Sequence, residues 1–120
     1  MGAPKVFESE YRFLKILWEN EPINSTKLCK ICLDELGWSK ATTYTVIRRL
    51  SQRSVIKNEN AVVTSLVSKD EVQASEIDEL VERTFDGSLP SFIAAFVSGR
   101  KLSHQEADQL RKLIDQYEEK

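Results

Sequence analysis

Apolar residues recur along this chain at spacings of three and four, and the pattern reads as helix almost from end to end. The first predicted helix follows Ser9, carries Phe7, Tyr11, Leu14, Leu17 and Trp18 as its apolar stripe, and ends at Glu21-Pro22. A second starts at Asn24 or Ser25, turns Leu28, Ile31, Cys32 and Leu36 inward, and stops at Gly37, a residue that tolerates a left-handed cap. The third starts two residues later with Ser39 as its N-cap and Thr43, Val46, Ile47 and Leu50 as its apolar face. Beyond Arg53-Ser54 the pattern changes to β-branched runs, Val55-Ile56-Lys57 and Ala61-Val62-Val63-Thr64, with a tight turn expected at Asn58-Glu59-Asn60.

From Ser68 the helical period returns. Ser68-Lys69-Asp70-Glu71 has the form of a capping box and opens a helix that runs towards Phe85 and stops near Gly87. Leu89, Phe92, Ile93, Phe96 and Val97 form another amphipathic stripe that closes at Gly99. A further capping box, Ser103-His104-Gln105-Glu106, precedes Ala107, Leu110, Leu113, Ile114 and Tyr117. The expected fold is therefore mainly α with a small β-hairpin: a winged helix-turn-helix domain over residues 1–67 and a helical domain over residues 68–120. Three amphipathic helices in so short a segment leave much apolar face uncovered, and pairing with a second copy is the economical way to bury it. The residues expected at that homodimer interface are Ile77, Leu80, Val81, Leu89, Phe92, Ile93, Phe96, Val97, Leu110, Leu113 and Ile114.

At 120 residues, 41% hydrophobic and 30% charged, the chain has the composition of a globular domain and no apolar stretch near the ~20 residues a bilayer requires. Its opening, Met1-Gly2-Ala3-Pro4-Lys5-Val6, has no signal-peptide core and no Ser or Thr at position six for myristoylation, so a cytoplasmic location is expected. The net charge of -2 conceals an asymmetry that matters more. Residues 1–66 hold ten Lys or Arg against seven Asp or Glu, a balance of +3, whereas residues 67–120 hold seven against twelve, a balance of -5. Residues 38–58 contain Lys40, Arg48, Arg49, Arg53 and Lys57 and no acidic residue.

That basic stretch lies on the third helix. At about 100° per residue, Ala41, Thr45, Arg48 and Gln52 point away from its apolar face, flanked by Thr42, Tyr44 and Arg49. Most charged helix faces are merely solvated. This one occupies the second helix of a helix-turn-helix, the element whose N-terminal residues reach base edges in the major groove. The DNA-binding residues expected are Ser39, Lys40, Ala41, Thr42, Tyr44, Thr45, Arg48 and Arg49, with Arg53 and Lys57 continuing the positive track where phosphates run. The partner expected is double-stranded DNA.

Signs of catalysis are weak. His104 is the only histidine and sits in a capping box, and no nucleophile-elbow, P-loop, dinucleotide or zincin motif occurs. We expect no enzyme, no cofactor and no metal. Cys29-Lys30-Ile31-Cys32 offers two of the four ligands that structural zinc needs, so the pair reads first as small core residues, with a redox or copper role as the minor alternative.

Several segments resemble one bacterial family over nearly the whole length, from Glu8 to Tyr117. They are Ser9-Glu10-Tyr11 with Leu17-Trp18-Glu19, Gly37-Trp38-Ser39 into Thr42, Arg49-Leu50, Ser65-Leu66-Val67-Ser68, Gly87-Ser88-Leu89, and Ala94-Ala95-Phe96-Val97 with Lys101-Leu102-Ser103. Together they resemble the penicillinase-repressor family, the BlaI, MecI and CopY type of transcription repressor. The resemblance implies a homodimeric winged-helix repressor on an inverted-repeat operator. In the antibiotic-resistance members it implies inactivation by cleavage in the dimerisation domain after a membrane-bound sensor protease detects a β-lactam, and the matching bond here is Ala95–Phe96. Lys40 stands where many relatives have Pro, which implies a different operator sequence, and no cysteine follows Cys32, unlike the copper-sensing branch. Two alternatives stay open from the residues alone: a winged-helix module that meets an acidic protein, and a repressor of this fold with a redox or small-molecule inducer.

Overall fold

The computed structural model describes residues 4–119, so the Met1-Gly2-Ala3 opening lies outside the described residues. The chain divides into two compact units, one running to Leu80 and the other from Val81 onward.

The first unit is built from α1 (Glu8–Asn20), β1 (Ile23–Asn24), α2 (Ser25–Leu36), α3 (Lys40–Gln52), β2 (Ile56–Glu59), β3 (Val62–Ser65) and the first turns of α4 (Lys69–Phe85). Local chemistry sets the helix ends. The Asn24 side chain accepts from the Thr26 amide to start α2, and Gly37 ends it at φ +69°, a left-handed conformation that glycine adopts without steric cost. Ser39 then caps α3 by accepting from the Thr42 amide. Thr43, Val46, Ile47 and Leu50 are buried as their spacing predicts, and the Thr43 hydroxyl donates to the Ser39 carbonyl, so its burial leaves no orphaned polar group.

Two features depart from the sequence pattern. In α1 the buried face is Glu10, Phe13, Leu14, Ile16 and Leu17, while Phe7 is exposed and Tyr11 and Trp18 sit at its margin. The expected stripe is rotated because a carboxylate occupies one inward position. In the sheet, β2 extends through Glu59 and the turn falls at Asn60-Ala61, both with positive φ (53° and 63°), not at Asn58-Glu59-Asn60. Two left-handed residues give a turn whose twist matches that of its strands, which lets Asn58 and Glu59 pair with Val63 and Val62.

The sheet also has an unexpected third member. β1 pairs antiparallel with β3, Ile23 opposite Val63, giving the order β1-β3-β2. Glu21 strengthens this edge, its carboxylate accepting from the Ser65 amide at 2.8 Å and from the Ser65 hydroxyl. Three helices and a three-stranded sheet around a core of Phe13, Leu14, Leu17, Leu28, Leu50, Val55, Ile56 and Val63 make the winged helix that the element order predicts. The start of α4 belongs to it: Val72 is buried in the same core, the Trp18 indole donates to the Val67 carbonyl at 3.0 Å, and Gln73 donates to the Tyr11 hydroxyl.

The second unit contains the end of α4, α5 (Leu89–Val97) and α6 (His104–Tyr117). Ser88 caps α5, with Pro90 in its first turn, and Ser103 and Glu106 close a reciprocal capping box on α6. Phe85, Phe92 and Phe96 form an aromatic row with ring centroids 5.7 and 6.3 Å apart. No residue of α5 or α6 is buried. No helix among the described residues is long and apolar enough to cross a membrane.

Candidate nucleic-acid interface

The outward ridge of α3 is shaped by what its inner face must do. Burying Thr43, Val46, Ile47 and Leu50 leaves Lys40, Ala41, Thr42, Arg48, Arg49 and Gln52 exposed on the other side. Thr45 is half-buried, and its hydroxyl donates to the Ala41 carbonyl at 3.0 Å, which leaves the oxygen able to accept. Ser39, the N-cap, donates from its hydroxyl to the Thr42 hydroxyl oxygen at 3.0 Å. Arg48 and Arg49 make no ion pair among the described residues, so both guanidinium groups keep all their donors available.

Tyr44 has a different place. It packs half-buried against the core, its hydroxyl lies 3.2 Å from the Ser25 hydroxyl, and the Lys40 ammonium sits 6.0 Å from its ring centroid. It thereby fixes the start of α2 against the middle of α3. Lys57 is exposed on β2 and faces Glu59 at 3.9 Å, a weak pairing at the surface.

Arg53 departs from its expected role. Its guanidinium forms a two-pronged pair with Glu10, at 2.8 and 2.7 Å, and donates again to the Lys5 carbonyl at 2.6 Å. The Glu10 carboxylate also accepts from the Phe7 amide at 3.0 Å. With three of its five N–H donors engaged in this way, Arg53 ties the N-terminal arm and α1 to the end of α3. Hydrogen bonding from Arg53 holds the Glu10 carboxyl below its ordinary range against the opposing effect of burial, and the same pairing raises Arg53. Glu10 gave little sign of this in the sequence beyond its place three residues after Phe7, at the start of a helix.

Cys29 and Cys32 are free and buried, which supports the core reading. Burial pushes the Cys32 thiol up to about 11, and burial also raises Cys29 despite an opposing hydrogen bond from Tyr44. Alkylation by iodoacetamide at pH 7.5 is therefore expected to be negligible in the folded protein and complete in denaturant. Mass spectrometry showing rapid labelling of native Cys29 would contradict this. His104 is exposed at the start of α6, and no cluster of three metal-ligating side chains occurs among the described residues.

The residues expected to dimerise mostly share one property. Ile77, Leu89, Ile93, Phe96, Leu110, Leu113 and Ile114 are exposed in the single chain, Phe96 at 53% and Ile114 at 64%, whereas Leu80, Phe92 and Val97 are half-buried and Val81 is buried. Apolar exposure on this scale marks a surface that meets something. Ala95 and Phe96 both lie on α5 and are exposed.

Comparison with known proteins adds to this geometry. The profile of the penicillinase repressor family matches residues 7–116. The chain is 23% identical over 118 residues to a penicillinase repressor from Bacillus licheniformis, covering 95% of this chain and 92% of that protein. It is also 23% identical over 115 residues to the methicillin resistance regulatory protein MecI of Staphylococcus aureus, covering 92% and 94%. Among solved structures, the solution structure of monomeric Bacillus licheniformis BlaI in complex with the blaP half-operator matches with a TM-score of 0.50 and 22% identity. That match covers 57% of this chain and 88% of that one.

Proposed function

The chain belongs to the penicillinase repressor family, and from that membership we propose that it is a homodimeric, sequence-specific DNA-binding repressor acting on an inverted-repeat operator in the cytoplasm. The observation that carries this reading is the α3 ridge, where Arg48 and Arg49 are exposed and unpaired beside Lys40, Thr42 and Thr45, on the helix that enters the major groove in this fold. The relatives support it: one is a penicillinase repressor by name and another a methicillin resistance regulatory protein, and BlaI is seen in complex with a half-operator. In this proposal residues 1–67 contact DNA and residues 68–120 dimerise. The exposed apolar side chains of α4, α5 and α6 would pair with those of a second copy and hold two α3 helices ~34 Å apart, one helical turn of DNA.

Inactivation would follow from cutting the Ala95–Phe96 bond by a membrane-bound sensor protease. α5 has nine residues, so a break there severs Phe96 and Val97 from the stripe that Leu89, Phe92 and Ile93 begin. Each freed DNA-binding half would then have to bind alone, without the high effective concentration that linkage supplies.

Selection from a random duplex library tests the reading, with the Thr45→Ala, Arg48→Ala double variant beside the parent protein. The parent is expected to recover an inverted repeat, and the variant is not. Arg48→Ala alone should lower affinity for the selected repeat by ~1–3 kcal/mol and leave affinity for scrambled DNA nearly unchanged, as loss of a two-pronged contact to guanine requires. Equal loss on both duplexes would make Arg48 a phosphate anchor instead. Recovery of random sequence by the parent protein would overturn the proposal.

A further inference from the structure

A shallow groove of about 390 Å³ runs beside α3, lined by Ser9, Trp38, Thr42 and Arg49 together with Ala41, Thr45 and Val46. The chemistry of its lining is one-sided. The indole N–H of Trp38 is a donor with no acceptor character, and neither it, nor the Ser9 hydroxyl, nor the Arg49 guanidinium has a hydrogen-bond partner among the described residues. Thr42 accepts from Ser39, which leaves its own hydroxyl proton free. No carboxylate lines the groove, and Glu10, which feels the charge of Arg49, is already bound by Arg53. The lining is also stiff. Trp38 stacks on buried Phe13, centroids 6.2 Å apart and rings 6° from parallel, and its amide donates to the Cys32 carbonyl.

Unused donors that line one groove suit an oxyanion, and a groove alongside the helix that enters the major groove lies where a DNA strand must pass. We propose that it seats one backbone phosphate of each half-site, with the Trp38 indole N–H and the Arg49 guanidinium donating to its non-bridging oxygens and Ser9 closing the far side. The inference rests on the DNA-binding reading above and adds to it a site at which position along the duplex is fixed without reading a base. It also divides the labour between neighbouring arginines: Arg48 reads sequence, and Arg49 holds the strand.

The test uses the full-length protein, the selected inverted repeat and a scrambled duplex of equal length, with affinities measured between 50 and 200 mM salt. Trp38→Phe keeps an aromatic ring to stack on Phe13 and removes the N–H together with the five-membered ring that carries it. It should weaken binding to both duplexes by about tenfold and leave the salt slope unchanged, since a neutral donor releases no counterion. Arg49→Gln should weaken both and reduce the slope by about one per half-site. A scan of neutral methylphosphonate substitutions with the parent protein needs no variant to fold. One position per half-site should lower affinity, and Trp38→Phe or Arg49→Gln should suffer little further loss there. If Trp38→Phe binds like the parent, or its loss is confined to the selected repeat, or no methylphosphonate position couples to Arg49, the phosphate seat is overturned while the repressor reading stands. If the parent protein binds neither duplex, both fall.

Discussion

Replacing Phe96 with Asp is expected to turn a dimer into a monomer and to lower affinity for the selected inverted repeat by about 10²- to 10⁴-fold. Phe96 is 53% exposed in the single chain and ends the aromatic row that Phe85 and Phe92 begin, with Arg100 4.4 Å from its ring centroid. In a dimer that ring would lose its water to a partner's apolar surface, and a carboxylate in its place would carry a desolvation cost that pairing with Arg100 offsets only in part. The substitution touches nothing on α3. Affinity for a duplex holding a single half-site should therefore stay within a factor of two or so of the parent, while the gain from a second half-site disappears. Sedimentation equilibrium gives the oligomeric state and titration of the two duplexes gives the affinities. A parent protein that is monomeric at micromolar concentration, or a variant that remains dimeric, would show that α5 does not form the interface.

The second large effect concerns the pair that the sequence concealed. Glu10→Gln should destabilise the winged-helix unit by about 2 kcal/mol at pH 7, below the usual cost of breaking a fully buried pair because the Arg53 side chain is 34% exposed. The variant keeps the shape and one acceptor oxygen but leaves the guanidinium charge without its counterion. The pH dependence has a definite sign. The Glu10 carboxyl lies below its ordinary value of 4.5 in the folded chain, so its contribution is fully present above about pH 4.5 and is lost as pH falls through the lowered folded value. Thermal melts of parent and variant should thus differ most near neutrality and converge in acid. A difference independent of pH would assign the loss to packing and not to the ion pair.

Much of this architecture is legible in the residues, and the exceptions share a cause. α2 and α3 follow from local signals, Asn24 and Ser39 at their starts and Gly37 between them, because the chemistry of a cap lies within three residues of the cap. The phase of α1 is not legible in this way, since the reason Glu10 faces inward is Arg53, 43 residues further on. A carboxylate on the buried face shifts the apparent stripe to Tyr11 and Trp18, which lie at its border. β1 has only two residues, too few for alternation to show, and exists because β3 offers it an edge. The surroundings of Arg53 and Trp38 are likewise set by residues distant in sequence. A basic residue just beyond a basic helix does not reveal a carboxylate 43 residues earlier, and an aromatic beside an N-cap does not reveal the ring it stacks on.

The tip of the hairpin has a consequence for how such a protein can change over generations. Ala61 holds a left-handed conformation that costs a residue with a Cβ roughly 1–2 kcal/mol, at a place where Gly would incur almost none. A hairpin that relied on its turn for alignment could ill sustain that strain. This one is aligned from its base, where Ile23 pairs with Val63 and Glu21 clasps Ser65. The tip is thereby released from the task of specifying the strands, and mutations there can lengthen it, recharge it or relax it without disturbing the hydrophobic core. Under the proposed function, divergent operators could thus be accommodated by drift at Asn58 to Ala61 while the helix proposed to meet the bases stays mounted on an unaltered frame.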